Sequence, residues 1–314
     1  PKVMWYAPAK KWIMTLAAND RIIFYSSLNL KDWKEESTFG LGVGSHIGVW
    51  ECPDLFPLQL EGKTYWVLVV NVNSGGPNKG SATQYFLGGF DGNKFSNMDA
   101  ATRWLDYGPD EYAGITWSNT GDRKIFLGWM SNWQYANQVP TEKWRNAMTI
   151  PRKLSLQRSM EGISIVSKPV AEISNIGLKK TAKISATLPE QWQLKMDIST
   201  LDDYCITLSN KSGNQVLIGY DAKAKQYYID RTKSGKTDFE KNFSGRFTAP
   251  RLSAKTSSNL TLVVDASSVE LFADDGLSVM TAIYFPDGLL DKFSIKKAAN
   301  LKFTSRFIPL KSIW

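Results

Sequence analysis

Val49-Trp50-Glu51-Cys52, Thr64-Tyr65-Trp66-Val67-Leu68-Val69 and Gln84-Tyr85-Phe86-Leu87-Gly88 are apolar runs joined by polar turns, and they decide the fold. Each has strand length and is rich in β-branched and aromatic residues, and Leu60-Glu61-Gly62-Lys63 carries the glycine expected of a tight hairpin. The same order of runs recurs on both sides. Upstream stand Val3-Met4-Trp5-Tyr6, Lys11-Trp12-Ile13-Met14-Thr15-Leu16 and Arg21-Ile22-Ile23-Phe24-Tyr25-Ser26. Downstream stand residues 112–117, 124–129 and 146–150, with Asn119-Thr120-Gly121-Asp122 as a turn and Leu154-Ser155-Leu156 as a fourth strand. A period of roughly fifty to sixty residues is the spacing of propeller blades. Propellers close with about four to eight blades, and an arc of three leaves sheet faces and edges open to water. The pattern therefore predicts blades beyond the three present.

From residues 168–177 onward the character changes. Trp192-Gln193-Leu194-Lys195-Met196-Asp197-Ile198, Gln215-Val216-Leu217-Ile218-Gly219-Tyr220 and Leu260-Thr261-Leu262-Val263-Val264-Asp265 alternate apolar and polar. Val269-Glu270-Leu271-Phe272-Ala273, the turn Asp274-Asp275-Gly276 and residues 279–285 continue the pattern. Alternation with short turns at this density fits an antiparallel β-sandwich. The expected fold is all-β: about three blades of an incomplete five-bladed propeller over residues 1–169, then a sandwich over residues 170–314.

Composition narrows the function classes. The net charge is +8, but the basic residues are scattered along strands and turns and form no patch that would argue for nucleic acid. Cys52 and Cys205 lie far apart and make neither a disulfide framework nor a metal-ligand spacing. His46 is the single histidine and reads as a loop residue. No run is apolar and long enough to read as a membrane span, and none reads as a signal peptide. Neither metal nor cofactor is expected. Asn210, Asn242 and Asn259 each open a glycosylation sequon.

Glu51 carries the chemistry. An acid inside an aromatic strand and close to a proline reads as a carboxyl held in a pocket wall, and a retaining glycosidase needs two carboxyl groups flanking one bond. Trp50-Glu51-Cys52-Pro53-Asp54-Leu55 resembles the acid/base motif of glycoside hydrolase family 32, the invertases, inulinases and levanases. Gly75-Gly76-Pro77-Asn78, residues 81–86, Phe90-Asp91-Gly92, residues 105–113, residues 128–135, residues 147–152 and Val269-Glu270-Leu271-Phe272 resemble the same family, in family order.

The resemblance implies that Glu51 is the general acid/base, in a setting that suits a raised pKa. It implies that Trp50, Cys52, Asp110, Tyr112 and Trp133 contact or flank the sugar, with Trp133 as the aromatic platform. Asp110 could also act on Glu51 as a nearby like charge. Asp54 would brace the motif, Asp106 would contact sugar or cap a turn, and Trp129 would belong to the core. The family's Arg-Asp-Pro aspartate and its nucleophilic aspartate would precede residue 1. Asp20, Asp32, Glu35 and Glu36 read as solvated charges and do not replace the nucleophile. The expected protein is thus a β-fructosidase acting on levan, inulin or sucrose, secreted, periplasmic or at the cell surface, of which this chain alone is inert. The missing N-terminal propeller segment and a fructan or sucrose substrate are its expected partners. A fructan-binding remnant and a fructosyltransferase on the same scaffold remain alternatives.

Overall fold

The structure, a computed structural model, describes residues 1–178, 184 and 187–313. Three antiparallel sheets follow one another along the chain. The first holds β1 (Lys2–Tyr6), β2 (Lys11–Ala18), β3 (Arg21–Ser27) and β4 (Lys34–Phe39) in that order. The second holds β5 (Trp50–Leu60), β6 (Lys63–Val72), β7 (Ala82–Phe90) and β8 (Phe95–Asn97), with β9 (Arg103–Trp104) added to β7. The third holds β10 (Tyr112–Thr116), β11 (Lys124–Met130), β13 (Arg152–Ser159) and β14 (Gly162–Pro169), and the short β12 (Ala147–Met148) pairs with β11. Such up-and-down sheets stacked face to face are propeller blades.

Period-2 alternation explains the stacking. On β6, Leu68 and Val70 face the first sheet and pack with Ile13, Ile22, Phe24 and Phe39. Val67 and Val69 face the opposite way and pack with Phe126, Leu154, Leu156 and Ile165 of the third. Strand β5 forms an edge of its sheet. It therefore tolerates Pro53 and Pro57, whose missing N–H groups would break a central ladder. The hairpin after it turns on Glu61 and Gly62, at φ 51° and 76°, as the glycine there predicts.

One face of the first sheet is apolar and uncovered. Register places Val3 opposite Met14, Trp5 opposite Trp12, Met14 opposite Tyr25 and Leu16 opposite Ile23. Trp5 is 48% exposed there and stacks edge-on to Trp12 at 5.1 Å.

The remaining strands form two further sheets. One runs β22 (Ser278–Ile283), β21 (Ser268–Ala273), β20 (Ser258–Asp265), β15 (Trp192–Thr200), β24 (Lys302–Pro309). The other runs β19 (Arg246–Pro250), β18 (Gln226–Lys233), β17 (Gln215–Asp221), β16 (Tyr204–Ser209), β23 (Lys292–Lys297). Alternate residues such as Trp192, Leu194 and Met196 meet Ile206, Ile218 and Ile229 in a single core. The architecture is all-β, propeller-type sheets followed by a sandwich, as the alternation predicted.

Candidate active site

Two strands place the site, and both are bent by a bulge. The register of β5 against β6 slips between Glu51 and Asp54, and that of β10 against β11 slips between Tyr112 and Ile115. The residue following each key side chain sits at positive φ, Cys52 at 44° and Ala113 at 53°. Bulges of this kind re-aim side chains, and non-glycine residues hold such angles only where the surroundings impose them. Here the surroundings include Asn71 of β6, fully buried. Its amide donates to the carbonyls of Cys52 (3.2 Å) and Gly114 (3.1 Å), while its oxygen accepts from Gly114 N (3.1 Å) and Thr83 Oγ1 (2.5 Å). One side chain thus pins both bulges. Asp54 ties the same strands further along, accepting from the amide and hydroxyl of Thr116 at 2.7 Å each and from Lys2 at 3.3 Å.

Pinned in this way, Tyr112 donates its hydroxyl hydrogen bond to Glu51 Oε2. Glu51 is half-buried. The Tyr112 hydroxyl is pushed well above its ordinary range by burial first and by the Glu51 carboxylate second, so it stays a donor. Burial and Glu51 likewise raise the exposed Cys52 thiol. That makes it a poor nucleophile. The Tyr112 ring meets Trp129 at 6.2 Å, and Trp129 meets Trp133 at 5.0 Å. Trp133 is 51% exposed and Trp129 half-buried, so the two form a wall rather than a core. A titratable carboxyl beside an aromatic wall can move a proton at a bound sugar while the rings cover its C–H face.

Two residues expected on the sugar lie elsewhere. Trp50 alternates with Glu51 and points to the opposite side. It is buried at 1% exposure, its indole donating to Ser45 O at 2.7 Å and stacking on His46 at 5.0 Å. Asp110 is fully buried against Arg231 and Tyr135, both of whose side chains engage its oxygens. Asp106 caps the turn at Gly108 (2.7 Å) and also meets Arg152 at 2.9 Å. Asp20, Asp32, Glu35 and Glu36 find local partners in Arg21, Asn29, Tyr25 and Ser26. Asn71 escaped the sequence reading, although an amide inside Val69-Val70-Asn71-Val72 is a polar outlier in a buried run.

Glu111 also escaped it. The side chain lies beneath Gly114 and Gly128, where a Cβ would stand 2.7 and 2.4 Å from its Oε1. Neither oxygen has a hydrogen-bond partner, and the neighbouring Thr83 hydroxyl is committed to Asn71. Burial above all, then Asp106 and Glu270, against the pull of Arg152, raises this carboxyl from 4.5 to about 8. The unfolded chain ionises Glu111 near 4.5, whereas the folded chain keeps the proton until about 8. Unfolded protein therefore binds fewer protons across that window, and stability falls as pH rises through it. Glu111→Gln is expected to remove that fall, on the order of 1 kcal/mol per pH unit. Thermal unfolding of both proteins from pH 5 to 9 measures it. Parallel curves would show that Glu111 is already ionised in the folded chain.

A carboxyl on an edge strand of stacked propeller sheets, an aromatic wall beside it and a sandwich behind define the propeller-plus-sandwich class of glycosidase architectures. Within that class the chain belongs to glycosyl hydrolase family 32. The model of the family 32 N-terminal domain matches residues 1–169, and that of the family 32 C-terminal domain matches residues 164–307. The chain is 40% identical over 341 aligned residues to a levanase of Bacillus subtilis, covering all of this chain and 50% of the levanase. It is 36% identical to an extracellular exo-inulinase of Aspergillus niger, covering 91% of this chain and 59% of the inulinase. Among solved structures, an exo-inulinase from Aspergillus awamori superposes with a TM-score of 0.91 at 30% identity, over 99% of this chain and 67% of that one. The chain thus spans about half to three-fifths of the length of these curated relatives.

Proposed function

We propose that this chain is part of a retaining β-fructosidase that releases fructose from levan, inulin or sucrose, with Glu51 as its general acid/base. The observation that carries the reading is Glu51 itself, half-buried, turned out by a bulge and held by the Tyr112 hydroxyl. In the first step protonated Glu51 gives its proton to the glycosidic oxygen as the bond to the anomeric carbon breaks and a carboxylate nucleophile adds there. In the second step ionised Glu51 takes a proton from water, the water oxygen bonds to the anomeric carbon, and the nucleophile leaves. Trp133 and Trp129 cover the sugar ring, and Cys52 borders it.

Among the described residues, no carboxylate of the core or of the first sheet is placed to be the nucleophile. Asp54, Asp106, Asp110, Glu111 and Glu270 are buried, and the carboxylates of the first sheet pair locally. We propose that it comes from a further propeller segment, received on the apolar face of Trp5, Trp12, Met14 and Leu16. Residues 1–169 would then be the C-terminal part of a five-bladed catalytic propeller, 170–314 its sandwich, and the isolated chain inactive. The relative described as extracellular supports a secreted protein. Among the described residues no helix is long and apolar enough to cross a membrane.

The test is NMR of the full-length protein acting on sucrose, inulin and levan. Fructose is expected to appear first as the β-anomer. First appearance of the α-anomer overturns retention, and no fructose from any of the three overturns the assignment.

A further inference from the structure

The segment that leads into Tyr112 is built onto the sandwich. Tyr107 N donates to Val279 O at 2.8 Å and Asp110 N to Thr281 O at 3.2 Å. In return, Thr281 N donates to Asp106 Oδ1 and Ile283 N to Asp110 Oδ2, both at 2.9 Å. Residues 106–110 thus run along β22, the edge strand of its sheet, and satisfy groups that an edge leaves open. Only glycine fits at 108, where a Cβ would stand 2.2 Å from the backbone nitrogen and oxygen of Thr281.

At the end of this seam Asp110 is gripped from the other sheet of the sandwich. Arg231 on β18 donates Nη1 to Asp110 Oδ2 at 2.6 Å and Nη2 to the Tyr135 hydroxyl at 2.8 Å. Tyr135 in turn donates to Asp110 Oδ1 at 2.5 Å. The guanidinium is itself fixed, with Nε donating to Phe243 O at 2.6 Å and Cζ 3.8 Å from the centre of the Phe243 ring. Arg231, Asp110 and Tyr135 are all 0% exposed. A buried ion pair contributes little net stability over an apolar pair of the same size, but it fixes geometry. From Asp110 to Tyr112 is two residues, at most about 7 Å of extended chain, too short to absorb a displacement.

We propose that Arg231 is a positioning residue for the acid/base: by clamping Asp110 it sets the Tyr112 hydroxyl on Glu51. The sandwich is thereby part of the site without touching the sugar. The inference rests on the role proposed for Glu51.

The test uses the full-length protein and the paired variant Arg231→Met with Asp110→Asn, which leaves no unpaired buried charge. If that variant does not fold, Arg231→Lys, which keeps the cation but loses the fork, carries the same comparison. A displaced Tyr112 is expected to lower kcat about 10- to 100-fold, with KM changed far less. Tyr112→Phe alone is expected to reproduce that split, kcat falling with KM changed far less. Adding Tyr112→Phe to the clamp variant then costs nothing more. An unchanged kcat, or a full additive cost of Tyr112→Phe, overturns the inference while Glu51→Gln still lowers activity strongly. Unchanged activity of Glu51→Gln overturns the acid/base reading and this inference with it.

Discussion

Glu51→Gln in the full-length protein is expected to lower kcat/KM for fructose release from sucrose or levan by about 10²- to 10⁴-fold, the usual weight of a positioned general acid/base. The amide has the shape of the carboxyl and keeps an oxygen for the Tyr112 hydroxyl, so the strand, the bulge at Cys52 and the Asn71 staple persist. Only proton transfer is removed. Protonation matters most for a poor leaving group, so the loss depends on the substrate. A fructosyl donor with an activated leaving group needs no acid in its first step and should lose far less at that step. Its intermediate then accumulates, because water is attacked by no base, and KM falls with kcat. Equal losses on sucrose and on the activated donor would assign Glu51 to binding instead. Retained activity on both would remove it from the chemistry.

Much of this architecture is legible in the sequence. The alternation of Val67 to Val70, each pair of residues addressing a different neighbouring sheet, is a local property of the chain, and so is the Glu61-Gly62 turn. Stacked propeller sheets and a sandwich follow from such patterns. Glu51 stood out for the same reason, a carboxyl in an apolar strand. Other features depend on pairing between distant segments. Residues 106–110 contain two aspartates and a glycine and read as a loop beside the sugar, but they pair with an edge strand some 170 residues later. That pairing turns Asp110 inward to Arg231, and nothing local announces it. The two bulges are likewise invisible, because positive φ at Cys52 and Ala113 is imposed by Asn71 across the sheet rather than preferred by those residues. Trp50 is a different case. Period 2 alone puts it on the face opposite Glu51, against what the motif resemblance implies.

The second large effect is expected at Arg152, where the third sheet meets the sandwich. Its Nη1 donates to Asp106 at 2.9 Å, and its Nη2 donates to Glu270 at 2.5 Å and to the Thr281 hydroxyl at 2.6 Å. Glu270 also accepts from Ile150 N at 2.8 Å, and the Phe272 ring lies 5.1 Å from the guanidinium. Arg152 is 0% exposed, and Asp106 and Glu270 are nearly so. Arg152→Met keeps the volume but leaves two buried carboxylates facing each other, with Glu111 as a third acid nearby. Breaking one side of such a cluster costs about 3–5 kcal/mol, which for a chain of this size lowers the thermal midpoint by on the order of 10 °C. The loss should shrink as pH falls, because the orphaned carboxyls can then fold in protonated form. The decisive comparison is the triple variant Arg152→Met, Asp106→Asn, Glu270→Gln. With no charge left to bury it should regain most of the midpoint, since the seam is also held by the backbone pairing along β22. A triple variant as unstable as the single one would mean that the cluster contributes through its charges directly, and that the sandwich is fixed to the propeller electrostatically rather than by its edge strand.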